Sequence, residues 1–310
     1  MESKAAYRQY ASEHTVSLYL HPDWLEKATE RWGDWDVVFS KDEKGEIQGF
    51  WVFVYKSQLI WSKITMPAFT PYMGPCLIYP EIKSEYERRS FENKVLKDLI
   101  RQVPPFAEIR FKWQHGYDNW LPFYWQSFQQ QTAYTYIIRD TSHLETVFKS
   151  FKSSIQRQIR KAAAQLKVRS ATEITEVVRM LRKSLGKQAD KIVDEPLLAG
   201  LHQVTQAHKR GMILEALDPY DRVIAAIYLI WDEREVMYLY GGYDDTYNDS
   251  GAMPLLFWQA IRLAHQKQLS FNFEGSMIPG VEKFFRSFGA ELTPVSFIVK
   301  RGFPYRFLTK

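Results

Sequence analysis

Phe271-Asn272-Phe273-Glu274-Gly275-Ser276-Met277 is followed, seven residues on, by Phe284-Phe285-Arg286-Ser287-Phe288-Gly289. The first stretch reads as the end of a strand, Leu269 to Phe273, running into a glycine turn. The second reads as a short aromatic helix, Val281 to Phe288. Gly289 stops it, because glycine takes the left-handed conformation that ends helices at no steric cost. A last strand, Pro294 to Val299, follows.

The same succession occurs earlier in the chain. Phe106 to Lys112 alternates as a strand, Trp120 to Phe128 is a short aromatic helix, and Tyr134 to Arg139 is a closing strand. Phe123-Tyr124-Trp125-Gln126-Ser127-Phe128 answers Phe284-Phe285-Arg286-Ser287-Phe288. The segments upstream match as well. A helix Pro22 to Arg31 precedes a hairpin from Trp35 to Tyr55, whose strands flank the turn Asp42-Glu43-Lys44-Gly45. Leu59 to Ile64 makes a third strand. Met66-Pro67 through Gly74-Pro75 is expected to be loop, since each proline lacks a ladder donor. Glu85 to Val103 is then a helix with Phe91, Val95, Leu96 and Leu99 on one side.

In the second half, Val223 to Trp231 and Glu235 to Tyr240 are strands. Met253, Leu256, Phe257, Ala260, Ile261 and Ala264 form an unbroken helical stripe. Each half therefore reads as paired strands, long helix, strand, short aromatic helix, strand, which is an internal repeat at domain scale. A chain of 310 residues has room for two such cores of about 150 residues each. The expected fold is α/β (α+β), with domains at 1–142 and 143–310, each a mixed, mostly antiparallel sheet flanked by helices.

Leu144 to Leu166 joins the halves and is expected to be a single amphipathic helix, apolar through Phe148, Phe151, Ile155, Ile159, Ala162 and Leu166. From Thr146 to Thr172 the chain carries Lys149, Lys152, Arg157, Arg160, Lys161, Lys167 and Arg169 and no Asp or Glu. Such a stripe attracts phosphates of a nucleotide, an RNA or an anionic lipid, or is simply a solvated helix face. Glu173 to Leu185 and Pro196 to Lys209 continue as helix up to a break at Gly211.

Composition excludes several classes. A single cysteine, Cys76, permits no intramolecular disulfide and no cysteine-rich zinc site, which suits a reducing cytoplasm. No histidine pair has metal-ligand spacing: His202 and His208 are six apart and do not share a helix face, so no metal is expected. With no secretory leader and no apolar run of about twenty residues, the expected location is cytoplasmic.

Ser154-Ile155-Gln156-Arg157-Gln158-Ile159-Arg160-Lys161-Ala162, Tyr240-Gly241-Gly242, Phe271-Asn272-Phe273-Glu274-Gly275-Ser276 and Phe284-Phe285-Arg286-Ser287-Phe288-Gly289 occur in an order that resembles FemAB-like proteins. These are bacterial double-domain relatives of the GNAT acetyltransferases. Their best-known branch adds amino acids from aminoacyl-tRNA to peptidoglycan precursors. The resemblance runs from Tyr72-Met73-Gly74-Pro75 to the C-terminus. It implies two tandem GNAT-like domains and direct transfer of an acyl or aminoacyl group to an amine. The donor would be acyl-CoA or aminoacyl-tRNA as co-substrate, with no permanently bound cofactor, and the acceptor a small amine or cell-wall precursor. A non-catalytic GNAT-derived module that binds RNA or an anionic surface is the alternative. The peptidyltransferase branch carries a lysine near the position Phe285 fills here, while the cations in this chain are Lys283 and Arg286.

Direct acyl transfer needs a neutral amine, a held donor and stabilisation of the oxyanion, but no enzyme nucleophile. No Gly-x-Ser-x-Gly elbow is present. Glu274 is the candidate general base or amine-binding carboxylate, or else caps the following helix, and Ser276 adds a hydroxyl beside it. Tyr240 is a candidate proton donor or a core residue. Gly241 and Gly242 would leave a strand edge open to a donor's amides. Arg157, Arg160 and Lys161 are candidate phosphate ligands, with Lys283 and Arg286 in support. The place of the GNAT pyrophosphate loop reads Asn248-Asp249-Ser250-Gly251-Ala252-Met253. There Gly251 is the matching glycine, and a plain helix-capping turn is the other reading.

Overall fold

The computed structural model describes residues 2–58 and 61–302. The chain forms two compact units. One comprises the described residues up to Ala133 together with the described residues from Pro294 onward, and the other is Tyr134–Thr293. The expected division at 142/143 thus differs at both ends, because the last strand of each repeat begins in one unit and ends in the other.

In the first unit, helices α1 (Glu2–Glu13) and α2 (Pro22–Thr29) precede strands β1 (Asp34–Lys41), β2 (Ile47–Gln58), β3 (Trp61–Thr65) and β4 (Gly74–Leu77). Then come α3 (Glu85–Gln102), β5 (Glu108–Lys112), the short α4 (Leu121–Tyr124) and β6 (Gln129–Ile138), which leaves for the other unit after Ala133. β2 pairs antiparallel with β1 and β3, and β3 lies parallel to β5. The hairpin turn is as expected: Gly45 has φ 88°, and the Asp42 carboxylate accepts the N–H groups of Lys44 and Glu46. Leu59 and Ile60 of the expected third strand lie outside the described residues.

The stretch expected to be loop through Pro75 becomes a strand at Gly74. β4 adds to β2 with Pro75 opposite Trp51, at an edge where a missing donor costs no ladder bond. Trp51, Phe111, Trp113 and Phe123 meet edge to face beneath α4, so the aromatic helix is held by Phe123.

The second unit continues with α5 (Leu144–Ser150), α6 (Ser153–Gln165), β7 (Lys167–Ala171), α7 (Thr175–Leu185), α8 (Ala189–Ile192), α9 (Glu195–Ala207), β8 (Gly211–Leu217), β9 (Val223–Trp231) and β10 (Glu235–Tyr243). It closes with α10 (Ala252–Lys267), β11 (Ser270–Asn272), α11 (Pro279–Arg286) and β12 (Glu291–Arg301), which passes into the first unit at Pro294. Strands run in the order β6, β11, β10, β9, β8, β7. All neighbours are antiparallel except β10 and β11, which α10 joins as a parallel crossover.

Phe257 on α10 is the hub of this core, with the rings of Tyr238, Phe271, Phe273, Phe284, Phe285 and Phe288 around it. The expected single helix from Leu144 to Leu166 is in fact two. Phe151 and Lys152 are extended, Phe151 packs on Trp258 and Phe288, and Lys152 N–H donates to the Ser287 carbonyl at 2.9 Å. Tertiary burial of Phe151 outweighs helix continuity here. No helix among the described residues is long and apolar enough to cross a membrane.

Candidate functional site

β11 keeps pace with β10 for three pairs only, Glu235 with Ser270, Val236 with Phe271 and Met237 with Asn272. Beyond them Phe273 N–H donates to the Tyr136 carbonyl at 2.9 Å and so stays with β6, while β10 continues along β9 to Tyr243. The two parallel strands therefore part at Met237 and Asn272. Glu274 follows at this fork with φ 63°, and Gly275 with φ 73°. Two consecutive left-handed residues turn the chain sharply out of the sheet. A Cβ at Gly275 would fall 2.5 Å from Thr135 Cα, so only glycine fits against β6.

Glutamate is not a residue that favours positive φ, and the conformation costs on the order of 1 kcal/mol. A buried polar network imposes it. The Asn272 side-chain oxygen accepts from Glu274 N–H at 2.8 Å and from Thr135 Oγ1 at 2.7 Å. The Asn272 amide donates to both oxygens of Glu235, at 3.1 and 3.0 Å. Asn272, Thr135 and Glu235 are all buried, so the bonds act in a low-dielectric interior. Ser276 Oγ accepts Ile278 N–H at 3.1 Å, which shapes the turn into α11.

Tyr238, rather than Tyr240, shares the surroundings of Glu274. Its ring packs on Phe257 and Phe285. Burial raises its phenol well above the ordinary range, and the nearby Glu274 carboxylate adds to the shift, so the phenol stays protonated at neutral pH. A β-bulge between Tyr238 and Tyr240 makes the difference. Tyr238 stands opposite Leu229 and Tyr240 opposite Tyr228, consecutive residues that point to opposite faces of β9. Tyr240 consequently stacks on Tyr228 at 5.1 Å on the face covered by α9. Burial raises its phenol too. Strict alternation would have put both tyrosines on one face, and no feature of the sequence marks the bulge. Asn272 was findable, since an amide between Phe271 and Phe273 in a core strand must have buried partners.

The two glycines after Tyr240 are taken up by packing. A Cβ at Gly241 would lie 2.8 Å from Ile227 Cα, and one at Gly242 would lie 2.5 Å from Ser184 Oγ and against the Met180 carbonyl of α7. Gly251 has φ 73° and caps α10, with α6 crossing so close that a Cβ would lie 2.8 Å from the Gln158 carbonyl. The first turn of α10 is a sparse phosphate cradle. Ala252 N–H already donates to Ser250 Oγ at 3.2 Å, and Pro254 has no N–H.

Of the basic segment, Lys149, Lys167 and Arg169 pair with Glu145, Asp221 and Glu215. Arg160 lies over the Phe148 ring at 5.3 Å. Arg157 and Lys161 project one turn apart from the exposed side of α6, beside the residues that cover Gly251, and among the described residues no carboxylate pairs with them. On α11, Arg286 is bound to Glu282 at 2.8 Å, and Glu282 also accepts from Tyr136 at 2.5 Å. Those two bonds hold the Glu282 carboxyl below its usual range. Lys283 is exposed.

An open cleft of about 600 Å³ lies beyond the C-terminal end of β10, lined by Arg169, Arg179 and Arg222 and by Glu176, Asp221 and Asp244. Its charges balance. It is formed by the ends of β7 and β9, α7 and the segment after β10, and not by Glu274 or Tyr238.

The acetyltransferase (GNAT) domain family model matches residues 149–285, which fall inside the second unit and take in the fork, Glu274 and α6. The second unit is a GNAT domain. The complete chain shares its fold with tandem GNAT proteins. FemX aligns with a TM-score of 0.70 at 11% identity, over 94% of this chain and 95% of that one. The C-terminal domain of a putative lysylphosphatidylglycerol synthetase from Agrobacterium fabrum aligns at 0.54 and 14% identity, over 97% and 93%. A tandem GNAT protein from the clavulanic acid biosynthesis pathway aligns at 0.54 and 6% identity, over 97% and 95%. These likenesses concern the fold. No curated protein matches the chain by sequence.

Proposed function

We propose that the GNAT domain transfers an acyl or aminoacyl group from a phosphate-bearing donor directly to an amine at the fork between β10 and β11. The observation that carries this reading is Glu274, held at φ 63° by a buried network where the strands part and beside a protonated tyrosine. Strain of this kind, enforced by surrounding structure, is typical of functional positions.

In this scheme the acceptor ammonium gives a proton to Glu274. The freed lone pair attacks the acyl carbon, a C–N bond forms, and the carbonyl becomes an oxyanion. Collapse then breaks the bond to the donor's sulfur or ribose oxygen, and Tyr238 protonates the leaving atom, regaining its proton from the new amide nitrogen through solvent. Arg157 and Lys161 hold donor phosphates near Gly251. Acyl-CoA and aminoacyl-tRNA both meet that description. The sparse first turn of α10 favours the donor that relies on side-chain cations over backbone N–H groups, which is tRNA.

The test is transfer of label from acetyl-CoA and from charged tRNA to a panel of amines, with wild type and Glu274→Gln. Removal of the base should lower kcat at least about a hundredfold. Full activity in Glu274→Gln would sink the assignment. Donor binding against salt separates the two classes, being steep for tRNA and shallow for CoA.

A further inference from the structure

Immediately after Glu274 the chain presents Gly275 to Val281 without a charge, and Met277 and Ile278 are 62% and 64% exposed. Val281, one turn into α11, is 37% exposed. Large apolar side chains adjacent in space and turned to water are uncommon on a rigid base. This base is rigid: Phe285 and Phe288 anchor α11 in the Phe257 cluster, and the bond from Ile278 N–H to Ser276 Oγ sets the tip. The tip and the carboxylate belong to one turn of chain. Met277 and Ile278 follow Glu274 by three and four residues, on the turn that leads from it into α11.

We infer that the acceptor is an amphiphile, an amine carried on an apolar chain, and that Met277, Ile278 and Val281 form the apolar lip that selects it. The inference rests on the transfer reading above and names its acceptor class. Methionine suits such a lip, since its unbranched, polarizable side chain adapts to chains of different shape. The chemistry fits a free long-chain amine and an amino-lipid in a bilayer equally well.

A fully buried methylene favours binding about fourfold, and half burial on an open lip about twofold. Decylamine should therefore exceed propylamine by about a hundredfold in kcat/KM, and Met277→Ser with Ile278→Ser should flatten that ratio to within about fivefold. A second arm offers the amine as phosphatidylethanolamine in vesicles. Transfer there that exceeds transfer to monomeric decylamine, and that falls in the double variant, assigns the bilayer as the source. A wild-type ratio near one overturns the inference while leaving transfer itself intact. Calorimetric titration of the same amine series keeps the two readings apart. If no amine is acylated, chain-length-dependent binding that the double variant abolishes still supports the lip. Binding that ignores chain length refutes it.

Discussion

Asn272→Ala should unfold the second unit far more readily than its small change in volume suggests. The substitution removes the acceptor for Thr135 Oγ1 and Glu274 N–H and the donor to both Glu235 oxygens. Two neutral bonds contribute about 1 kcal/mol each, and the charge-assisted pair to Glu235 about 1.5–3 kcal/mol. The expected loss is about 4 kcal/mol. In a domain of this size each kcal/mol moves Tm by about 2–4 °C, so the melting temperature should fall by about 8–16 °C in circular dichroism or calorimetry. Asn272→Asp sharpens the test. It keeps the acceptor but places a second carboxylate against Glu235, and one of the two must stay protonated in the folded state. A folded pKa raised above the unfolded value gives stability that is present at low pH and lost as pH rises. Asn272→Asp should therefore be close to wild type near pH 4 and much weaker near pH 8. A fall of under about 2 °C for Asn272→Ala, or an Asn272→Asp stability that does not change with pH, would refute the view that this network sets the Glu274 turn.

Further outcomes follow from other contacts. Gly242→Ala drives a Cβ into the Met180 carbonyl, so α7 must move away from β10, which should cost about 3 kcal/mol, measured by urea denaturation. Replacing Arg157 and Lys161 by Ala should weaken donor binding. If tRNA is the donor, the slope of log affinity against log salt should become shallower by about 1.5. Lys183 holds the Asp244 carboxyl down to about 2 by a direct hydrogen bond, with Thr246 assisting. A depressed folded pKa means the tie between α7 and the end of β10 is complete above the unfolded carboxylate range and lost as pH falls toward 2. Lys183→Met should remove that part of the acid dependence. Tyr238→Phe keeps the packing on Phe257 and should change kcat with little change in Tm.

The helical stripe of α10 was legible because every core contact repeats at helical spacing, and all but Met253 of its six members are buried. The location of Glu274 at a strand end could also be read directly. Other features were hidden for identifiable reasons. Phe148, Phe151 and Ile155 keep helical spacing across the break at Phe151 and Lys152, so periodicity alone cannot reveal it. Strand β7, an edge with mostly exposed residues, carries no apolar alternation, and β8 behind it was hidden by the break at Gly211. The bulge that parts Tyr238 from Tyr240 is a backbone event without a residue marker. Gly241 and Gly242 looked like an open edge because the helix that covers Gly242 comes from sixty residues upstream.

The exchange of final strands bears on how such a chain arose and how it can be cut. Residues 297–301 of β12 pair with β5, whose own repeat ends in β6, and Ile137 and Ile138 of β6 pair with β11. A single ancestral repeat with this geometry would have closed its sheet by borrowing a strand from a second copy. In the present chain each sheet takes that strand from the other repeat of the same molecule, so tethering supplies what a separate repeat would have to bind from solution. Neither fragment produced by cleavage at 142/143 retains all of its sheet, and the two should regain solubility only when expressed together.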